Sequence, residues 1–280
     1  MQGRVCVITG ASSGIGRETA LALARMGATL GLVCRNRARG EETRVAIRSA
    51  TGSTDVELFL ADLGVQAEVH RLAGELLARY PAIHVLVNNA GVVNLRYTET
   101  VDGVETVFAV NHLAYFLLTH LLLDRLGASA PARIVNVASD AHRWGRMNFD
   151  DLGWRQGYKA MRVYGQSKLA NILFTYELAR RLEGSGVTAN CLHPGAVATR
   201  LGQNNGRIAT VLTKMLAPFF RTPAQGAATS IHLASSPAVD GISGRYFSNR
   251  REARSSRTAH DRDAARRLWD VSVALTGVGA

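Results

Sequence analysis

Tyr164 and Lys168 stand four residues apart in "VYGQSKLAN", residues 163–171. On a helix that spacing puts both side chains on one face. The chain otherwise prefers arginine: three lysines (Lys159, Lys168, Lys214) stand against thirty arginines. An exposed cation drifts easily between the two types, but a site that needs a compact ammonium cannot take a planar guanidinium. A free phenol ionises near pH 10, roughly three units too high for easy exchange at neutral pH. A neighbouring ammonium favours the phenolate and lowers that value. The pair therefore reads as an acid/base couple, giving a proton to a carbonyl oxygen or taking one from an alcohol. An incidental surface pair has the same spacing, so the surrounding elements must decide.

Those elements alternate. Short β-rich runs occur at 4–9 ("RVCVIT"), 29–34, 56–61, 84–89, 133–138, 187–192 and 244–248. Helical periodicity lies between them, as in Ile15, Thr19, Leu23 and Met26, or Val107, Val110, Leu113 and Leu117. The early strands are apolar throughout rather than alternating, which suits a parallel sheet covered by helices on both faces. The expectation is one α/β, doubly wound Rossmann-type domain over 1–280 with a seven-stranded, mostly parallel sheet. A cofactor half covers about 1–135, and a catalytic and substrate-loop half about 136–280. Two irregular segments, 140–156 and 196–222, begin at strand ends, where open α/β sheets bind ligands.

"TGASSGIG" (9–16) follows the first strand and opens the first helix. Gly10, Gly14 and Gly16 allow a sharp turn and close approach of backbone to a pyrophosphate. The helix start adds N–H donors and a positive dipole end. The cradle so read comprises Gly10, Ser12, Ser13, Gly14, Ile15, Gly16 and Arg17. The second strand ends in "VCRN". An acid there would hold a ribose 2′-OH and favour NAD. Cys34, Arg35 and Asn36 stand there instead, and a guanidinium grips a 2′-phosphate bidentately. Arg35, with Arg17 as a second candidate, points to NADP(H).

In the order "TGASSGIG", "NNAG" (88–91), "NVASDAH" (136–142), "YGQSK" (164–168) and "HPG" (193–195), the chain resembles the short-chain dehydrogenases/reductases. The stretches 110–123, 133–142 and 265–272 are most similar to the retinol-dehydrogenase-like branch. The resemblance implies a catalytic set of Asn111, Ser139, Tyr164 and Lys168. In it Tyr164 is the acid/base, Ser139 orients the substrate oxygen and Lys168 also holds the nicotinamide ribose. Asn111 holds a water that joins the lysine to solvent. It further implies Asp62 at the adenine, with Leu63 supplying backbone, and Asn88, Ala90 and Gly91 after the fourth strand. The first of these asparagines chiefly braces the sheet. Pro194, Gly195 and Thr199 would lie near the nicotinamide carboxamide, and His142, Arg143 and Trp144 near substrate.

Bulk properties narrow the class. Apolar residues make up 47% of the 280 and charged residues 20%, ordinary values for a globular chain. Cys6, Cys34 and Cys191 are odd in number and far apart, so they read as buried thiols rather than a disulfide or metal framework. Eight of the arginines crowd into 245–267, a solvated face without the aromatics or motifs of a nucleic-acid site. No nucleic-acid partner and no metal are expected. Membrane-bound members of the branch carry a hydrophobic anchor before the first strand, whereas this chain begins three residues before Arg4. The expectation is a cytoplasmic enzyme without a membrane anchor. It would move a hydride between nicotinamide and a hydrophobic ketone, aldehyde or secondary alcohol, with pairing through helices at 102–126 and 157–183 as a possible homo-oligomer. A non-catalytic NADP-binding sensor or scaffold is the competing reading.

Overall fold

The computed structural model describes residues 1–197 and 221–279. One sheet holds β1 (Val5–Thr9), β2 (Thr29–Cys34), β3 (Val56–Leu60), β4 (Val85–Asn88), β5 (Ala132–Val137), β6 (Val187–His193), β7 (Tyr246–Ser248) and β8 (Arg251–Glu252). Its order is β3-β2-β1-β4-β5-β6-β7-β8. Every neighbouring pair is parallel except β7 and β8. All seven expected strands are present. The eighth corrects the count: two residues turn back on β7 through Asn249 and Arg250, both at positive φ. "RE" is too short and too polar to show a strand pattern.

The order reverses between β1 and β4, which opens a crevice at the carboxyl ends of these strands. Helices cover both faces. α1 (Gly14–Arg25), α2 (Arg37–Thr51) and α6 (Pro223–Ser235) lie on one face; α3 (Gln66–Arg79), α4 (Thr106–Ala128) and α5 (Ala160–Arg181) lie on the other. β1 shows why the strands read as continuous apolar runs. Cys6 and Ile8 pack into one core with Leu23 and Leu233, while Val7 packs into the other with Leu72 and Phe116. The three thiols are free and buried, and burial pushes each up to about 12.

α7 (Arg262–Thr276) lies against α4 and α5. Trp269 meets Phe116 edge-on at 5.0 Å between ring centroids, and the Arg181 guanidinium sits 4.1 Å over its ring. These are the two helices expected to pair, and at Phe116 and Phe174 the chain's own α7 covers them. By length and composition α4 could cross a bilayer, but 78% of its most apolar window is buried inside the protein, as in a core helix.

Candidate active site

The site lies along the carboxyl ends of β1 to β6. Gly10 (φ +67°) and Gly14 (φ +56°) turn the chain from β1 into α1. Two polar side chains absent from the sequence reading hold this turn. Asn89 Nδ2 donates to Thr9 O at 2.8 Å, while Thr9 Oγ1 accepts from Asn89 N (2.8 Å) and Ala90 N (3.0 Å). A Cβ at Gly10 would lie 2.8 Å from Ala90 Cα; one at Gly16 would overlap Gly10 O and lie 2.5 Å from Asn89 Nδ2. The turn is thus fitted to its neighbours on the protein side. On the other side, Ser13 gives α1 no side-chain cap, and Arg17 Nε is buried without a partner. Unclaimed donors at a helix start suit a pyrophosphate. Ser12 lies beside the Cys34 thiol, and Ile15 packs close to Gly226 of α6.

At the ends of β2 and β3, Arg35, Arg37, Asp62, Val65, Glu68 and Arg71 line an open cleft. Asp62 Oδ1 accepts from Gly64 N at 2.9 Å, and Arg35 pairs loosely with Asp62 at 3.8 Å. Such an exposed pair contributes little and leaves the guanidinium available. Leu63 is buried in the core with Val69 and Leu117. The Asn36 side chain is committed elsewhere: it caps α2 by accepting from Arg39 N at 3.0 Å. Asn88 braces the sheet, donating to Thr119 Oγ1 (3.0 Å) and Asn136 Oδ1 (2.9 Å). Ala90 O accepts from Tyr115 OH at 2.7 Å, and Gly91 leads from there towards Asn111. Pro194 and Gly195 (φ +90°) follow β6, with Arg221 packed against Gly195. Thr199 lies outside the described residues.

The catalytic set converges at the end of β5. Lys168 is buried on α5, and its Nζ donates to Val137 O at 3.0 Å. The amine sits 5.7 Å from the ring centre of Tyr164 and 5.8 Å from that of Tyr115, within cation–π range. Tyr164 is half-buried on the same helix face, and the Ser139 hydroxyl, which accepts from Ala141 N at 3.2 Å, is near enough to act on its phenol. Asn111 lies in a π turn (Ala109–Leu113) inside α4. Its Oδ1 accepts from Val92 N at 2.7 Å, and its Nδ2 donates to Val92 O and Ser167 Oγ, each at 3.0 Å. Both amide protons are used within the protein, so the side chain is a brace between the β4 loop and α5.

The electrostatics correct one expectation. Burial pushes the Tyr164 phenol up to about 12, opposed by the Ser139 hydroxyl, and pushes the Lys168 amine down to about 7. Desolvation favours the neutral form of each. In this pocket desolvation outweighs the attraction that the four-residue spacing predicts.

The segment after Ser139 is a short 3₁₀ helix, Asp140–Trp144. Arg143 is half-exposed and Trp144 is 57% exposed, at the rim of the site. His142 does not face substrate. It is fully buried, with Nδ1 2.6 Å from Ser139 O and Nε2 accepting from Ser256 N.

Residues 4–208 match the family model for short chain dehydrogenase. Mouse retinol dehydrogenase 14 is 46% identical over 99% of this chain and 87% of its own. Human retinol dehydrogenase 11 is 45% identical, again over 99% of this chain and 87% of its own. Among solved structures, an uncharacterized protein from Mycobacterium Paratuberculosis superposes with a TM-score of 0.80 at 36% identity, covering 99% of this chain and 94% of that one. A Pseudomonas aeruginosa RhlG/NADP active-site complex superposes at 0.70 and 29%, covering 88% and 94%. With a backbone-lined turn at the sheet's reversal and a Ser–Tyr–Lys cluster beside it, the chain belongs to the short-chain dehydrogenase/reductase family, in its retinol-dehydrogenase-like branch.

Proposed function

We propose that this oxidoreductase uses NADP(H) and interconverts a hydrophobic aldehyde or ketone with its alcohol, with Tyr164 as the acid/base. One observation carries the reading. The Tyr164 phenol, the Ser139 hydroxyl and the Lys168 amine gather at the end of β5, one strand away from the glycine turn at the end of β1. Gly10, Gly14 and Gly16, with the start of α1, would hold a pyrophosphate, and Arg35 and Arg37 a 2′-phosphate. When bound, the cofactor supplies or accepts the hydride at its nicotinamide and, when oxidised, brings positive charge to the pocket.

The chain's own groups manage the proton. Ser139 holds the substrate oxygen by a hydrogen bond. Tyr164 gives its proton to that oxygen in reduction and takes it back in oxidation. Lys168, when charged, stabilises the phenolate left behind. Reduction is the proposed direction with NADPH. The relatives named retinol dehydrogenase make all-trans-retinal the first aldehyde to assay. Tyr164→Phe should lower turnover of retinal by about 1,000-fold or more while NADPH still binds. Near-wild-type turnover in that variant removes Tyr164 from the role. NADPH binding by the wild type with no turnover across a carbonyl panel favours a sensor.

A further inference from the structure

The peptide unit joining Ser139 to Asp140 is held at both ends by histidine. Its carbonyl, Ser139 O, lies 2.6 Å from His142 Nδ1, and its N–H donates to His193 Nδ1 at 3.1 Å. The partners fix both tautomers. A carbonyl only accepts, so His142 Nδ1 carries a proton; its Nε2 accepts from Ser256 N at 3.0 Å and is bare. His193 is the reverse. Its Nδ1 accepts, so Nε2 carries the proton, 3.3 Å from Asp140 Oδ2. Asp140 therefore grips both nitrogens of one ring, N–H on one side and carboxylate on the other. That carboxylate also accepts from Tyr246 OH at 2.9 Å, with Arg143 Nε at 3.4 Å.

We propose that His142 and His193 are positioning residues: two neutral rings of opposite tautomer fix the Ser139–Asp140 peptide plane, and through it the Ser139 hydroxyl that holds the substrate oxygen. The inference rests on the carbonyl-reductase reading above. It also joins the two irregular segments at their roots, since His193 ends β6 where one departs and Asp140 opens the other. The arrangement is sensitive to acid. A second proton on His193 must go to Nδ1, where it faces the Asp140 N–H donor to donor. Around His193 stand Asp140, which favours the charged ring, and Arg143 and Arg221, which oppose it. Around His142 stand Asp140, Arg143 and His193, with the Tyr246 ring 5.1 Å away. Burial is the largest influence on both and holds both below the ordinary histidine value. At neutral pH the grip is intact; as pH falls below the histidine range it is lost.

Two measurements test this. ¹⁵N–¹H correlation spectra of the imidazoles, assigned with single variants, read the tautomers without any substrate. The expected result at pH 7.5 is Nδ1–H on His142 and Nε2–H on His193. The opposite tautomer or a charged ring on His193 overturns the proposal. The second is kcat against pH with NADPH and all-trans-retinal. His193→Leu should lower kcat by about 10- to 100-fold, the cost of a misplaced group, while NADPH affinity stays within about twofold. His193→Asn keeps an acceptor near the Nδ1 position and cannot titrate, so it should recover most of the rate and flatten the acid limb. Wild-type kcat in His193→Leu, or an unchanged acid limb in His193→Asn, overturns the assignment. If His193→Leu fails to fold, the Asn variant's pH profile decides. If the wild type turns over no carbonyl at all, the function reading has failed, and the spectra alone decide whether the histidine grip exists.

Discussion

Where the glycine turn meets α1, the groups that would face a ligand are backbone N–H donors, a helix end and the Arg17 guanidinium, none of which titrates near neutral pH. At Tyr164 and Lys168 they are ionisable side chains that burial desolvates. The two regions lie at the same end of the sheet, with β4 between their strands, yet they respond to change in opposite ways. Backbone donors do not titrate, so the cradle is indifferent to pH, but it has no room for a single Cβ at Gly16. The pocket has the converse character. Its ionisable groups are held against burial, which drives Lys168 down to about 7 and Tyr164 up to about 12, each towards its neutral form. In the cradle stability and binding rise together. In the pocket chemistry is kept at a cost in stability.

Lys168→Met tests that contrast most severely. It should lower turnover by about 1,000-fold and yet raise the melting temperature at pH 7 by about 2–4 °C. The sign follows from linkage. The amine's folded pKa is about 7 and its ordinary value 10.5, so between those values the unfolded chain binds more protons. Stability of the wild type therefore rises with pH across that window, and the penalty is complete below it. The advantage of the Met variant should be largest near pH 7 and fade towards pH 10 in thermal melts. A variant less stable than wild type at pH 7 contradicts the contrast.

Gly16→Ala makes the opposite trade. The new methyl meets Gly10 O and Asn89 Nδ2, which must move. Overpacking of this kind costs about 1–3 kcal/mol. Displacing the turn should weaken NADPH binding by about 100-fold, measured by calorimetric titration, so stability and affinity fall together. Arg35→Ala should have a smaller effect. It removes one charge-assisted bond to a 2′-phosphate, about tenfold in NADPH affinity, with NADH affinity unchanged. Equal losses for both cofactors place the guanidinium away from the 2′-position.

Much of the frame could be read from residue patterns. Seven strands and the glycine turn are visible because buried parallel strands are apolar on both faces, and because a tight turn needs glycine. The brace beneath that turn was not visible. Thr9 and Asn89 lie 80 residues apart, and their bonds follow from the β1–β4 pairing rather than from any local signal. Tyr164 and Lys168 were legible as a pair because a helix fixes their spacing. Their titration was not, since burial depends on Tyr115 and on the Val137 carbonyl brought from other elements. His142 reads from sequence as a neighbour of substrate three residues past Ser139. Only the fold supplies Ser256, 114 residues away, to claim its second nitrogen.

Asn36→Ala makes the finest cut between the regions, because Asn36 sits at the mouth of the cradle without serving as one of its donors. Its side chain accepts from Arg39 N at 3.0 Å and so caps α2. Losing an N-cap costs about 1 kcal/mol, and for a chain of this size that lowers the melting temperature by about 2–4 °C. NADPH affinity should hardly change, because the cradle's donors belong to the backbone of residues 10–17 and to Arg17, and the 2′-phosphate contacts to Arg35 and Arg37. Calorimetric titration and a thermal melt on one preparation separate the two effects. A tenfold loss of affinity would mean that a neutral side chain contributes directly to holding the cofactor. The cradle would then depend on side chains as the catalytic pocket does, and the contrast between backbone and side-chain construction would fail at its simplest point.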